Sequence, residues 1–151
     1  MTQPWETRNL LFVYGSLLIP TGLPDVDAVM SGKTVSLGLG YIHGRLYDLG
    51  DYPGAKFSLQ GESKLPPKVW GRLLGLPDPD PVFAVLDRYE GFDRARPLES
   101  EFARSTAAVV VPEAERTYMA QVYFYNPQVR GKKLIPSGDY LAHKHAKESR
   151  R

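Results

Sequence analysis

The stretch Leu10-Leu11-Phe12-Val13-Tyr14-Gly15-Ser16-Leu17, continuing into Leu18-Ile19-Pro20, decides how this chain is read. Apolar and β-branched residues over the length of a strand, closed by a residue that tolerates positive φ, read as a buried core strand that feeds a tight loop. Past the end of the sheet the N–H groups of Gly15, Ser16 and Leu17 are released from strand pairing. Successive free N–H groups form a concave nest for a carboxylate or an oxyanion, and a glycine without Cβ lets a ligand come close to the main chain. The plain alternative is a first core strand that ends in an ordinary turn.

Working outward, composition narrows the class. A chain of 151 residues with 42% hydrophobic and 24% charged residues suits one globular domain, expected over 1–151 with its core at about 9–127 and a tail at about 140–151. The net charge of +2 is small, and Lys144, Lys147, Arg150 and Arg151 put much of the excess in the tail, so a nucleic-acid partner is not expected. Without cysteine there is no disulfide framework and no thiolate chemistry. Met1 to Arg8 has neither a basic nor an apolar leader region, and the apolar run after it is too short to span a membrane. The expectation is a cytoplasmic protein without a membrane partner, as a monomer or homodimer.

Further elements follow from local pattern. Asp25 to Met30 predicts a short helix closed by Gly32. Val35 to Ile42 and Gly44 to Asp48 alternate in polarity with repeated glycines, as strands bent around a small barrel do. The spacing of Gly38, Gly40 and Gly44 is not that of a dinucleotide loop, and no helix follows. Leu49 to Ala55 is a dense turn signal in which Pro53-Gly54 fits the centre of a type II turn. Lys68 to Leu76 predicts a strand. Asp80 as N-cap, Pro81 at the first helical position and Gly91 as a left-handed stop predict a helix over 81–90. Phe92 to Ser100 is polar and arginine-rich, the composition of a mobile loop. Ser105–Val111 and Tyr118–Tyr125 read as antiparallel strands, with Ala107 to Val111 buried on both faces and Asn126-Pro127 as the end. The rest is irregular up to Tyr140, where a basic helix or frayed tail begins; lacking apolar anchors after Ala146, it is expected to be mobile and dispensable.

The helix over 81–90 carries the most specific chemistry. Phe83, Leu86 and Glu90 stand at i, i+3 and i+7, so the carboxyl shares a face with two large apolar residues. Burial and the negative end of the helix dipole both disfavour the ionised form, which raises the pKa toward the range of a general acid/base near neutral pH. A helix end also faces water, and a glutamate turned into solvent is the other reading.

Three motifs in order carry a resemblance: Tyr14-Gly15-Ser16-Leu17, then Leu46-Tyr47-Asp48-Leu49-Gly50 with Tyr52-Pro53-Gly54, then Leu86-Asp87-Arg88-Tyr89-Glu90-Gly91. The sequence resembles the gamma-glutamylcyclotransferase-like family from about Leu11 to Tyr125. The resemblance implies an α+β fold, a small mixed β-barrel flanked by short helices. It further implies a cavity floored by Tyr14, Gly15, Ser16 and Leu17, with Tyr52, Pro53 and Gly54 contributing to substrate binding and Glu90 matching the catalytic acid/base. Family members convert γ-glutamyl amines or amino acids to 5-oxoproline with release of the amine, without a cofactor. Tyr125 then has two readings, a hydrogen bond to substrate or Glu90, or a core tyrosine satisfied elsewhere. Where many members have Tyr-x-Arg, this chain has Phe102-Ala103-Arg104, so one hydroxyl is missing.

Other chemistries fit the residues less well. His143 and His145 fall on different helix faces and His43 stands alone, so no metal site is expected. Ser16 lies outside any Gly-x-Ser-x-Gly elbow and no histidine is placed to activate it. The competing function is a non-catalytic module of the same fold that binds a small carboxylate or a partner.

Overall fold

The computed structural model describes residues 5–58 and 66–149; Met1 to Pro4 of the start, and Arg150 and Arg151 of the tail, lie outside the described residues. The strands are β1 (Leu10–Val13), β2 (Val35–Asp48), β3 (Pro53–Phe57), β4 (Lys68–Gly75), β5 (Phe102–Val111), β6 (Arg116–Tyr125) and β7 (Lys133–Ile135). Three helices accompany them: α1 (Pro24–Gly32), α2 (Pro79–Glu90) and α3 (Tyr140–Ser149).

β1 lies between β4, to which it is antiparallel, and β6, to which it is parallel. The path β2-β4-β1-β6-β5 closes on itself through Tyr41 against Val110, giving a five-stranded mixed barrel with β3 and β7 attached to β2. The fold is α+β, as expected.

The unbroken apolarity of β1 has a packing cause. Leu10, Phe12 and Tyr14 point into the barrel, among Ile42, Leu73, Val109 and Val122. Leu11, Val13 and Leu17 point outward into a second core with Val26 and Val29 of α1 and Val82, Phe83 and Leu86 of α2. Alternate residues therefore serve two cores, and no position on the strand faces water. Full burial of each such side chain contributes roughly 1.5–3 kcal/mol.

Several local expectations are corrected. The two segments expected on either side of His43 form one strand, β2, bent by an irregularity between Ser36 and Gly38. Ala107 to Val111 alternates between buried and more exposed positions, because β5 bounds only the barrel interior there. Pro53-Gly54 is not a turn centre: Gly50 has the positive φ of 107°, the Leu49 N–H donates to the Tyr52 carbonyl at 3.0 Å, and Pro53 opens β3. α2 starts with Asp78 as N-cap and Pro79 at the first helical position, two residues earlier than Asp80 and Pro81. Gly32 lies within α1, which closes at Lys33. The loop Phe92 to Ser100 is tied down by the buried Ser100 hydroxyl, which accepts from the Asp93 N–H at 2.8 Å. The tail takes the helical one of its two expected forms, α3, and its His143 and Lys147 both reach the Asp48 carboxylate at 2.9 Å.

Candidate active site

A cavity of about 200 Å³ opens where β1 runs out, between the end of α2 and the start of β5. Its wall combines Phe12, Val13, Tyr14, Gly15, Ser16 and Leu17 with Tyr52, Pro53, Tyr89, Glu90, Glu101, Phe102 and Tyr123. Of the residues singled out in the sequence, Tyr14, Gly15, Ser16, Leu17, Tyr52, Pro53 and Glu90 meet here. Gly54 and Tyr125 do not line it. A Cβ on Gly54 would lie 2.8 Å from Cβ of Tyr125, so these two pack against each other behind the wall, where the Tyr125 ring meets Phe102 edge-on at 5.3 Å.

The loop after β1 turns directly into a 3-10 helix, Ser16–Leu18, whose first bond runs from the Leu18 N–H to the Gly15 carbonyl at 2.9 Å. The N–H groups of Ser16 and Leu17 precede that bond and are not used by the helix itself. Gly15 has φ −134°, so positive φ is not its reason. The cause is space: a Cβ there would meet Cγ of Pro53 at 2.7 Å, and the missing side chain lets β3 close against the loop.

α2 delivers Glu90 through a division of labour among its last residues. Val82, Phe83 and Leu86 fix its buried face. Asp87 anchors it to the barrel, accepting from Nε and Nη2 of Arg104 at 2.9 and 3.0 Å and from the Tyr123 hydroxyl at 2.6 Å. The Tyr89 hydroxyl shares a hydrogen bond of 2.9 Å with Ser16 Oγ. Gly91 stops the helix at φ 70°, and the N–H groups of Gly91 and Phe92 cap the Arg88 and Asp87 carbonyls. Glu90, the last helical residue, then faces the cavity.

Burial, and next the charge of Glu101, push the Glu90 carboxyl up to about 8. Such a group can take and return a proton near neutral pH. Other polar groups are already engaged. The Tyr14 hydroxyl donates to the Tyr123 carbonyl at 2.7 Å and accepts from the Ala55 N–H at 3.1 Å, and its pKa is raised by burial and then by Glu90. The Tyr52 hydroxyl donates to the Glu101 carboxylate. That bond, followed by burial, pushes Tyr52 up to about 12. Phe102 lines the cavity, while Arg104 is spent on Asp87.

Sequence reasoning missed Tyr89, Glu101 and Tyr123. Tyr89 lies inside a motif already quoted, so its place one residue before Glu90 was a usable signal. Glu101 and Tyr123 had none, since strand pairing alone brings them here. Among the described residues no group of three or more His, Cys, Asp or Glu could hold a metal ion, and no helix is long and apolar enough to cross a membrane.

A small closed barrel with a carboxyl-bearing cavity at the end of its central strand is the class that fold and site define. The chain belongs to the family described as gamma-glutamyl cyclotransferase, AIG2-like, whose profile matches residues 11–142. Among solved structures it is similar to YkqA from Bacillus subtilis, at TM-score 0.66 and 20% identity over 93% of this chain and 42% of that one. The chain thus spans less than half the length of YkqA. It is similar to ytfP from Escherichia coli at TM-score 0.56 and 28% identity, over 89% and 98% of the two chains. An aig2-like protein from Mus musculus matches at TM-score 0.55 and 20% identity, over 77% and 76%. No curated protein matches the sequence. The family supports a cyclotransferase-type function and a small-molecule substrate in general.

Proposed function

We propose that the chain cyclises a γ-glutamyl amine or γ-glutamyl amino acid to 5-oxoproline, releasing the amine, with Glu90 as general acid/base. The observation that carries this reading is the Glu90 carboxyl, raised to about 8 on the wall of a cavity floored by the loop after β1. An ammonium group has to lose a proton before its nitrogen can attack, and a carboxylate whose conjugate acid titrates near 8 is a better-matched base than an ordinary one.

The α-carboxylate lies against the Gly15-Ser16-Leu17 loop, and its ammonium faces Glu90. Glu90 removes a proton; the freed nitrogen attacks the γ-carbonyl carbon and closes a five-membered ring, and it gives up its second proton to water, from which the released amine takes one to become an ammonium. When the tetrahedral centre collapses, the bond to the leaving amine breaks, and Glu90 returns the proton to that nitrogen. Reaction within one molecule lets the site work mainly by folding the substrate into an attack conformation. These steps call on no cofactor.

A panel of γ-glutamyl amines and amino acids, with 5-oxoproline and free amine both quantified, tests the reading. Stoichiometric appearance of the two from at least one member is expected. Binding without turnover across the panel would instead favour a non-catalytic binding module.

A further inference from the structure

Among the described residues the cavity wall carries two carboxyl groups, Glu90 and Glu101, and no lysine, arginine or histidine. Under the cyclotransferase reading, on which this inference rests, the γ-glutamyl portion brings one ammonium and one carboxylate. The ammonium answers Glu90 and the carboxylate answers the backbone N–H groups of the loop. Glu101 is left without a cationic counterpart from either the described residues of the wall or the invariant half of the substrate.

Its position points to the variable half. Glu101 immediately precedes β5, is exposed at the rim, and accepts a hydrogen bond from the Tyr52 hydroxyl. The Asn126 N–H donates to its backbone carbonyl at 2.8 Å, which fixes the main chain that carries it. Asp51, beside Tyr52 in the chain, adds negative charge nearby. Several positive groups of this region have other partners: Lys56 donates to the Asn126 carbonyl at 2.8 Å, Arg104 pairs with Asp87 and Arg96 with Glu99.

We propose that Glu101, held by Tyr52, is a specificity-determining residue that selects γ-glutamyl substrates whose leaving amine carries a second, cationic group and disfavours those whose leaving amine carries a carboxylate. A cation in the leaving group meets Glu101 at the mouth. A carboxylate in the same place meets the like charges of Glu101 and Asp51 and, among the described residues of the wall, no cation, which is how a site rejects a wrong partner.

The test uses three γ-glutamyl amides of equal length, made from a four-carbon diamine, from n-butylamine and from a four-carbon ω-amino acid. For the wild-type protein, kcat/KM should favour the diamine compound over the ω-amino acid compound by at least about tenfold, equivalent to about 1.4 kcal/mol. The ratio should shrink as salt is added, because the rim is open to solvent. In Glu101→Gln it should approach unity when measured above the pH limb of each protein. No cation preference in the wild type, or a preference that survives Glu101→Gln, overturns the proposal. If none of the three is cyclised and the wider panel gives no 5-oxoproline either, the cyclotransferase reading fails. Calorimetric affinities of the same three compounds then decide the present point: the same ordering, lost in Glu101→Gln, upholds it, and equal or absent binding overturns it.

Discussion

Ser16 Oγ and Tyr89 Oη lie 2.9 Å apart, so the loop that ends β1 is tied to the last turn of α2 one residue before Glu90. The bond joins the two halves of the candidate site, the loop floor and the carboxyl. Tyr89→Phe keeps the ring and removes the link. A single partly buried hydrogen bond of this kind is worth about 1 kcal/mol, and loss of alignment at Glu90 adds a cost in turnover. Thermal unfolding should show a drop of a few degrees, with kcat falling more than KM changes. A change in KM alone would mean that the bond does not align the carboxyl.

Gly15→Val places Cβ where Pro53 Cγ lies 2.7 Å away, a hard contact between the loop after β1 and the start of β3. Overpacking of this type costs about 1–3 kcal/mol, and substrate or product affinity should fall at least about tenfold. Gly15→Ala combined with Pro53→Ala removes the clashing ring atoms and should recover much of the stability lost in Gly15→Ala alone. Equal melting temperatures for the single and double variants would show that Pro53 is not the cause.

Glu90 makes the fold sensitive to pH. Its folded pKa of about 8 lies above the ordinary value of 4.5, so the folded state holds the proton more tightly than the unfolded chain does. Its contribution is fully present below pH 4.5 and is lost as pH rises toward 8. Glu90→Gln should therefore gain stability on the wild type across that window, by up to a few kcal/mol at its upper end. Denaturant unfolding of both proteins from acid to mildly alkaline pH checks this, and a constant gap would contradict it.

Asp48 behaves with the opposite sign. Burial works to raise its pKa, but hydrogen bonds from His143, Lys147 and the Gly50 N–H outweigh that and hold it well below the usual carboxylate range. Stability from this cluster is present above the ordinary carboxylate pKa and is lost as pH falls through the folded one. Asp48→Asn should narrow the stability gap to the wild type in acid. Truncation before Lys147 removes one partner whose side chain is 48% exposed and should cost about 1 kcal/mol or less, a shift of a few degrees. No shift at all would restore the dispensable tail read from the sequence.

The tail shows where sequence reasoning stops. Its composition is that of a solvated end, and only the fold brings Asp48 of β2 against α3. What was legible was local: the apolarity of β1, the glycine stop at Gly91 and the odd place of Glu90 beside Phe83 and Leu86. The start of α2 was illegible for a different reason, since Pro77-Asp78-Pro79-Asp80-Pro81 offers the same Asp-Pro signal twice and only packing chooses between them. Gly54 and Tyr125 drop out of the cavity wall because β3 and β6 face each other there. Glu101 enters it as an ordinary glutamate in a polar loop, brought in by the pairing of Phe102 with Tyr125.

Turnover of Glu90→Gln tests the central claim most directly. Glutamine keeps the size of the side chain and still hydrogen-bonds, but has no oxygen basic enough to accept a proton near neutral pH. General acid/base assistance is worth about a hundredfold to ten-thousandfold, and in the proposed mechanism Glu90 serves both attack and departure. On a γ-glutamyl substrate that the wild type cyclises, the folded variant should still bind 5-oxoproline and lose at least ~99% of turnover. The wild-type rate should rise with pH as Glu90 ionises around 8, and the variant should lack that limb. A folded Glu90→Gln protein that releases 5-oxoproline at near wild-type rate, with the same pH profile, would contradict the account.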